Sequence, residues 1–275
     1  MTEHYAVIGN PIQHTKSPAI HMSFAQITGQ DITYKALLAP VGGFAAAVDA
    51  FRAAGGRGLN VTAPFKLDAA AYATERLERA ELAGAVNAMS FDDGAAVADN
   101  FDGVGLTRDI VDNLGCAIRG RRVLLLGAGG AARGTLLQFL EQRPAELVVA
   151  NREAVKAAEL AERFASYGPV AATGLDGLSR LRGSFDMVVN ATSASLHGEL
   201  PNINANVFGP GCLAYEMVYG KGLTPFLRLA RDAGVSQLAD GVGMLVEQAA
   251  EAFAWWRGVR PDTRAVIAQI TVPLT

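Results

Sequence analysis

The run RRVLLLGAGGAAR (121–133) constrains this chain more than any other stretch. An apolar strand pattern passes straight into a glycine-rich turn, and a helical pattern follows at once, with Ala132 in the place of the third glycine of GxGxxG. In that setting Gly127 permits the tight bend and Gly129 lets the backbone approach a pyrophosphate. The helix start adds unpaired N–H groups and positive potential. Residues Gly127, Ala128, Gly129, Gly130 and Ala131 are therefore candidates for cradling a dinucleotide. A plain strand-to-helix turn is the simpler alternative, because glycine-rich turns are common.

The next apolar run, ELVVAN (146–151), ends where the adenine ribose of such a cofactor lies. An NAD site usually carries Asp or Glu there to accept from the ribose 2′-hydroxyl. Here the strand ends in Asn151 and Arg152, with Lys156 close behind, and a guanidinium pairs a phosphate in two-pronged fashion where a carboxylate would repel it. This favours NADP(H), against which Glu153 pulls. Arg152 and Lys156 also suit the solvated start of a helix.

Along the whole chain short apolar runs alternate with helical patterns, which reads as βαβ units in a largely parallel sheet. YAVIG, ITYKALL and GLNVT alternate with helices near 19–28 and 44–54. A second series follows: RRVLLLG, a helix to about 142, ELVVAN, a helix at 154–166, FDMVVNAT (185–192) and CLAYEMV (212–218). An amphipathic stretch at 106–114 connects the two series. The boundary falls near residue 102, and the tail after 240–258 is too short to be a domain, so it packs back on the first. The expected fold class is α/β with two domains. Residues 1–101 and 242–275 form an N-terminal α/β substrate domain completed by returning C-terminal helices, and 102–241 form a Rossmann-like NADP-binding domain.

Composition narrows the partners. The 24 Lys and Arg against 27 Asp and Glu give a net charge of −3, and no basic run stands ready to neutralise a phosphate backbone, so nucleic acid is not expected. With only Cys116 and Cys212, far apart, neither a disulfide framework nor a cysteine metal site is expected, which suits a reducing cytoplasm. The first residues lack a secretory pattern, and no apolar run approaches the roughly 20 residues that span a bilayer. No membrane and no metal enter the reading.

Three polar clusters fall where a sheet protein keeps loops: GNPIQHTKSPAIH (9–21), NVTAPFK (60–66) and DNFDG (99–103). Thr15 and Ser17 bring two small hydroxyls together ahead of a helix starting at Pro18, suited to a carboxylate; Ser17 as a simple helix cap fits equally well. Lys66 follows a proline turn at the edge of an apolar region. Asp102 lies in a glycine-containing loop at the expected domain junction, where it can face Lys66 and each can keep the other charged and oriented. Taken singly, a lysine there is commonly a surface charge and Asp-Gly commonly a turn.

Together, the motifs in GNPIQHTKSPAIH, NVTAPFK, AGAVN, NFDG, GAGGAAR, NATS, YEMVYGKGLTPFL and DGVGMLVEQA occur in order from residue 9 to 248. This ordered set resembles shikimate dehydrogenase of the bacterial biosynthetic type, over nearly the whole chain. The resemblance implies NADPH-dependent reduction of 3-dehydroshikimate to shikimate in aromatic amino-acid biosynthesis, by a monomer or homodimer. It implies Lys66 and Asp102 as the proton-handling pair, with Asn87, Thr62 and Gln248 on the ring hydroxyls and Thr15, Ser17 and Tyr219 on the carboxylate. On the cofactor side it implies Asn151, Arg152 and Lys156 at the 2′-phosphate, Met217 and Gly241 flanking the nicotinamide, and further contributions from Thr192 and Glu78. Spacing alone also allows Gln248 to be an ordinary surface residue.

The chain departs from the family pattern at Thr15 (usually Ser), Ala88 and Phe101 (usually Thr), Glu153 (usually Thr) and Glu216 (usually Asp). Phe101 is expected to narrow the pocket beside Asp102. A quinate/shikimate dehydrogenase of broader range, a folate-type dehydrogenase with a catalytic lysine and a non-catalytic NADP(H)-binding sensor are the competing readings. The basic end of ELVVANR argues against the first in its NAD form. The ordered motifs fit the second poorly, and retention of Lys66, Asp102 and Gln248 argues against the third.

Overall fold

The computed structural model describes residues 1–92 and 94–274. They divide into two compact units, residues 1–105 with 246–268 and residues 106–245 with the segment from Gln269 onward. The crossing points fall a few residues later than expected, and the last described residues cluster with the second unit. Residue 275 lies outside the described residues.

The first unit is built on a six-stranded sheet in the order β2-β1-β3-β5-β6-β4. Strand β1 (Glu3–Gly9) pairs in parallel with β2 (Ile32–Leu38) and β3 (Gly56–Val61). Strand β5 (Ala88–Asp92) runs antiparallel to β3 and to β6 (Ala95–Asp99), and the two-residue β4 (Glu75–Arg76) lies parallel to β6. The sheet is thus mixed rather than largely parallel. The separation of β5 from β6 is far too short for a crossover helix and leaves room only for a hairpin.

Helix α1 (Ser17–Thr28) starts with proline in its first turn and ends at Gly29, whose φ of 65° is the left-handed stop. Ser17, Ile20, His21, Phe24 and Ala25 recur on its buried face. Helix α2 (Phe44–Ala53) buries Phe44, Val48 and Phe51 at the same helical spacing. Helices α3 (Lys66–Tyr72) and α4 (Glu78–Ala83) are short and carry site residues at their first positions.

The C-terminal return is an aromatic event. Helix α10 (Val242–Arg257) brings Phe253, Trp255 and Trp256 to the first unit. Trp256 stacks on Tyr5 with centroids 4.8 Å apart, and its indole N–H donates to the Met89 carbonyl at 3.1 Å. Gly58 is required beneath it, because a Cβ there would sit 2.7 Å from the indole ring. His21 lies fully buried in the same cluster, stacked on Tyr34 at 4.1 Å, and burial pushes its imidazole down to about 3, so the ring is neutral. Arg260 donates to Glu247 and Glu251, and Thr263 donates to Glu247 at 2.6 Å, bracing α10 from beyond its end.

The second unit is a six-stranded sheet, parallel throughout among the described residues, in the order β12-β11-β10-β7-β8-β9. Its strands are β7 (Arg122–Leu126), β8 (Glu146–Asn151), β9 (Val170–Gly174), β10 (Phe185–Asn190), β11 (Phe208–Glu216) and β12 (Gln237–Asp240). Val123 through Leu126 are fully buried, the continuous apolar run of a strand covered on both faces. The order turns back at β7 and β10, the switch point of a doubly wound sheet, where such folds bind ligands at the strand C-termini. The helix expected to run to 142 is divided into α6 (Gly130–Arg133) and α7 (Leu136–Glu141). Between them lie Gly134, a poor helix former, and Thr135, whose hydroxyl donates to the Ala132 carbonyl at 2.9 Å. The connecting helix begins earlier than expected, as α5 (Asp102–Arg108), and passes into a π-helical turn over Asp109–Asn113.

Among the described residues no helix is long and apolar enough to cross a membrane, and Cys116 and Cys212 are free thiols. Inside the second unit the buried Tyr215 hydroxyl donates to Asp109 at 2.7 Å and accepts from the Met244 amide at 3.3 Å. Tyr215→Phe removes both bonds without changing the packing, and is expected to cost about 1–3 kcal/mol in chemical unfolding. An unchanged midpoint would show that the hydroxyl contributes nothing.

Candidate active site

In the first unit, Asn87 stands just before β5, Asp102 opens α5 and Lys66 opens α3. The Lys66 ammonium pairs with Asp102 Oδ2. Asn87 Nδ2 donates to Asp102 Oδ1 at 2.8 Å and to Gln248 Oε1 at 3.2 Å. Gln248 is thus turned inward with its α10 face, and an ordinary surface role is excluded. The pair forms within one unit, with Asp102 on the same side of the division as Lys66, although the sequence boundary assigns Asp102 to the nucleotide domain.

Burial around the pair is graded. The Asp102 side chain is 6% exposed and that of Lys66 20%, so the lysine alone keeps appreciable contact with water. The carboxylate is held by neutral groups behind it. The Asn87 carbonyl oxygen of the side chain accepts from the Phe101 amide at 2.8 Å, and the Asp102 amide donates to Asn100 Oδ1 at 3.0 Å. Asn100 in turn donates to the Ala85 carbonyl at 2.9 Å, and Asp99 pairs with Arg79. The AGAVN and DNFDG motifs are therefore one interlocked unit at the ends of β5 and β6.

A further brace has no sequence signal beyond its place in NVTAPFK. Tyr34 donates to Asn60 Oδ1 at 2.7 Å, and Asn60 Nδ2 donates to the Asn87 carbonyl at 3.3 Å. The aromatic cluster around His21 is thereby tied to Asn87. Thr62 follows β3, its amide donating to the Ile8 carbonyl at 3.0 Å, and its methyl group fills the space left by Gly9. Thr15 and Ser17 meet at the start of α1, with Oγ1 to Oγ at 3.3 Å, and Thr15 also accepts from the Ser17 amide. No side-chain hydrogen bond caps α1, so Ser17 is not a simple cap residue.

Phe101 is buried among apolar side chains. Its ring is 4% exposed and belongs to an apolar cluster with Ala88, Ala252, Trp255 and Trp256, with the Arg79 guanidinium 5.1 Å above it. The two departures from threonine, Ala88 and Phe101, share this cluster, where a small residue accompanies a large one. The ring is committed to packing in this cluster.

In the second unit, Gly127 has φ of 109°, and a Cβ there would press on the Ala191 carbonyl at 3.2 Å. Gly129 faces open space, with nothing within 4 Å of the place its Cβ would take. A turn that only glycine can make, beside an exposed backbone at the switch point, fits a pyrophosphate cradle. Gly130 and Ala131 open α6, and the Arg133 side chain folds back to the Ala128 carbonyl at 3.3 Å. Thr192 donates to Asn190 Oδ1 at 2.7 Å beside this turn.

At the end of β8, Asn151 Nδ2 donates to the Glu153 carbonyl at 3.1 Å, and Lys156 donates to Glu153 Oε1 at 2.7 Å. That hydrogen bond, aided by the charges of Lys156 and Arg152, lowers the Glu153 carboxyl. Arg152 is exposed, so the basic residues are present and Glu153 occupies one of them. Met217 and Tyr219 lie on the loop after β11, with burial raising the Tyr219 hydroxyl, and Gly241 is packed on the Met217 carbonyl. Glu78 is exposed at the first position of α4.

A doubly wound nucleotide unit joined to an α/β unit that carries a lysine–carboxylate pair defines a two-domain oxidoreductase of the dinucleotide-dependent class. Three family models match the chain: the shikimate dehydrogenase substrate binding domain over residues 7–89, shikimate / quinate 5-dehydrogenase over 108–198 and the shikimate 5′-dehydrogenase C-terminal domain over 241–271. A curated NADP(+) shikimate dehydrogenase of Chromobacterium violaceum is 57% identical over 97% of both chains. The crystal structure of an Ael1 enzyme from Pseudomonas putida superposes with a TM-score of 0.93 at 59% identity over the whole of both chains. Shikimate 5-dehydrogenase from Thermus thermophilus, solved with NADP(H) and shikimate, has a TM-score of 0.85 at 30% identity, over 97% of this chain and 98% of that one. The chain belongs to the shikimate dehydrogenase family.

The exposed cation at the end of β8 gives a direct check. Arg152→Ala is expected to raise the KM for NADPH by about tenfold or more and to leave that for NADH nearly unchanged, since only the former carries the 2′-phosphate. Equal effects on both cofactors would remove Arg152 from the phosphate site.

Proposed function

We propose that this chain catalyses the reversible, NADPH-dependent reduction of 3-dehydroshikimate to shikimate, working in the reducing cytoplasm. The observation that carries the reading is the Lys66–Asp102 ion pair fixed by Asn87, which Gln248 joins from the returning helix. The family membership supplies the substrate class and the cofactor.

The bound reduced nicotinamide supplies hydride to the carbonyl carbon, and the protein must then manage the oxygen. Lys66 stabilises the developing alkoxide with its ammonium and donates the proton that completes the alcohol. Asp102 keeps the lysine charged and aimed during that transfer. The neutral lysine regains its proton from water, for which its partial exposure provides the route. In the oxidative direction the lysine amine accepts the hydroxyl proton. Asn87, Thr62 and Gln248 recognise ring hydroxyls with neutral donors and acceptors, which avoids burying further charge. Thr15 and Ser17, with Tyr219, hold the substrate carboxylate.

The cofactor residues present fit NADP(H). The glycine turn cradles the pyrophosphate, and Arg152 with Lys156 takes the 2′-phosphate once Lys156 is released from Glu153. Glu153 is also the specific feature that works against the 2′-phosphate, because its carboxylate engages Lys156 at the end of β8.

Two experiments test this reading. Lys66→Ala is expected to lower kcat by about a hundredfold to ten-thousandfold while shikimate KM changes little, because the lysine acts mainly in the transition state. A large KM effect with kcat intact contradicts the assignment. Steady-state assays of shikimate and quinate, each with NADP⁺ and NAD⁺, are expected to give the highest kcat/KM for shikimate with NADP⁺. A protein that binds NADPH but turns over neither substrate is a sensor instead.

A further inference from the structure

The loop from Met217 to Gly220 follows directly on β11 and carries both Met217 and Tyr219. Its backbone is gripped at successive amides. The Met217 amide donates to the Asn190 carbonyl at 3.0 Å, the Val218 amide to Glu216 Oε1 at 3.2 Å and the Gly220 amide to Asp240 Oδ2 at 3.0 Å. From the other side, Gly241 presses so closely that a Cβ there would lie 2.2 Å from the Met217 carbonyl oxygen.

Each carboxylate is bound at both of its oxygens by groups that donate to it. Glu216 is fully buried, and its Oε2 accepts from Asn190 Nδ2 at 3.0 Å, Ser195 Oγ at 2.5 Å and Thr224 Oγ1 at 3.1 Å. The Asn190 amide cannot turn over to accommodate a donor, because its Oδ1 already accepts from the Thr192 amide at 3.1 Å and from the Thr192 hydroxyl at 2.7 Å. Asp240 Oδ1 accepts from the Val242 amide at 3.2 Å, at the start of α10, while Oδ2 takes Gly220. A glutamine or asparagine at these positions has one acceptor oxygen for two fixed N–H donors. Both carboxyls are raised by burial, so the acceptor chemistry is kept against a desolvation cost.

We propose that Glu216 and Asp240 are positioning residues that clamp the 217–220 loop at its two ends, so that one pair of buried carboxylates sets both Met217 and Tyr219. Glu216 also reaches Thr192 through Asn190, which ties the loop to the segment beside the glycine turn. This inference rests on the reading in which Met217 meets the nicotinamide and Tyr219 the substrate carboxylate.

The test compares full-length E216Q, D240N, their double variant and E216D with the unaltered chain. NADPH affinity is read by nicotinamide fluorescence, kcat and shikimate KM by steady-state assay, and the thermal midpoint is recorded alongside. E216Q and D240N are each expected to weaken NADPH by about tenfold, the worth of one charge-assisted hydrogen bond, with a matching rise in shikimate KM. E216D, which keeps both acceptor oxygens, is expected to stay within about threefold of the unaltered chain. The double variant should be little worse than either single one, because a loop already released cannot be released again. Should E216Q fail to fold, D240N and E216D carry the comparison. NADPH binding at the unaltered level in a folded E216Q or D240N, additive losses in the double variant, or an E216D as weak as E216Q would each overturn the clamp. An unaltered chain that turns over no shikimate refutes the functional reading alone, since the fluorescence measurement still tests the clamp.

Discussion

Everything in the first unit depends on how one carboxylate is held in a nearly dry place. Asp102 has lost most of its water, and a single neighbouring ammonium, itself partly exposed, is only part of the compensation. Neutral amides supply the difference. Asn87 donates to Asp102 without competing for charge, and its own orientation is fixed by the Phe101 amide, by Gln248 and, through Asn60, by Tyr34. Arg79 is directed elsewhere, to Asp99 and the face of Phe101.

The second unit solves a different problem with similar means. The middle stretches of β7, β8, β10 and β11 are apolar and buried, and polar groups gather at the strand ends. Two of those ends present a bare glycine or an exposed basic group. At the β10 and β11 ends the backbone is irregular, and buried carboxylates accept the N–H groups that the sheet no longer satisfies. Glu216, one methylene longer than the family's usual aspartate, reaches four donors from separate segments.

Much of this was legible in the sequence where pattern and local chemistry agree. ITYKALL and ELVVAN became strands with the expected bounds, and the glycine turn lies where a strand meets a helix. What stayed hidden depends on contacts between distant residues. The β5–β6 hairpin has little alternation to announce it, since in β6 the half-buried Ala95 and Val97 are apolar like the buried Ala96 and Ala98. Phe101 stands out as an intruder in a polar motif because Trp255 and Ala252, more than a hundred positions away, supply its pocket. Tyr34 and Asn60 carry no motif-level sign of their link, and the inward turn of Gln248 follows only from where α10 lands. Lys66 and Asp102, ambiguous when read singly, are brought together by three loops whose backbone bonds interlock.

The interrupted course of the first unit also bears on how the chain is made. A ribosome releases residues 1–105 first, yet Phe253, Trp255 and Trp256 emerge only after residues 106–245, the bulk of the second unit. Until then Tyr5, His21, Phe24 and the Gly58 hollow lack the rings that cover them in the finished protein. The inserted stretch 106–245 carries all six strands of the second sheet and can form that sheet during synthesis while its host waits. The nascent protein is therefore an assembled nucleotide sheet carrying an open apolar one, and the last turns of α10 close it.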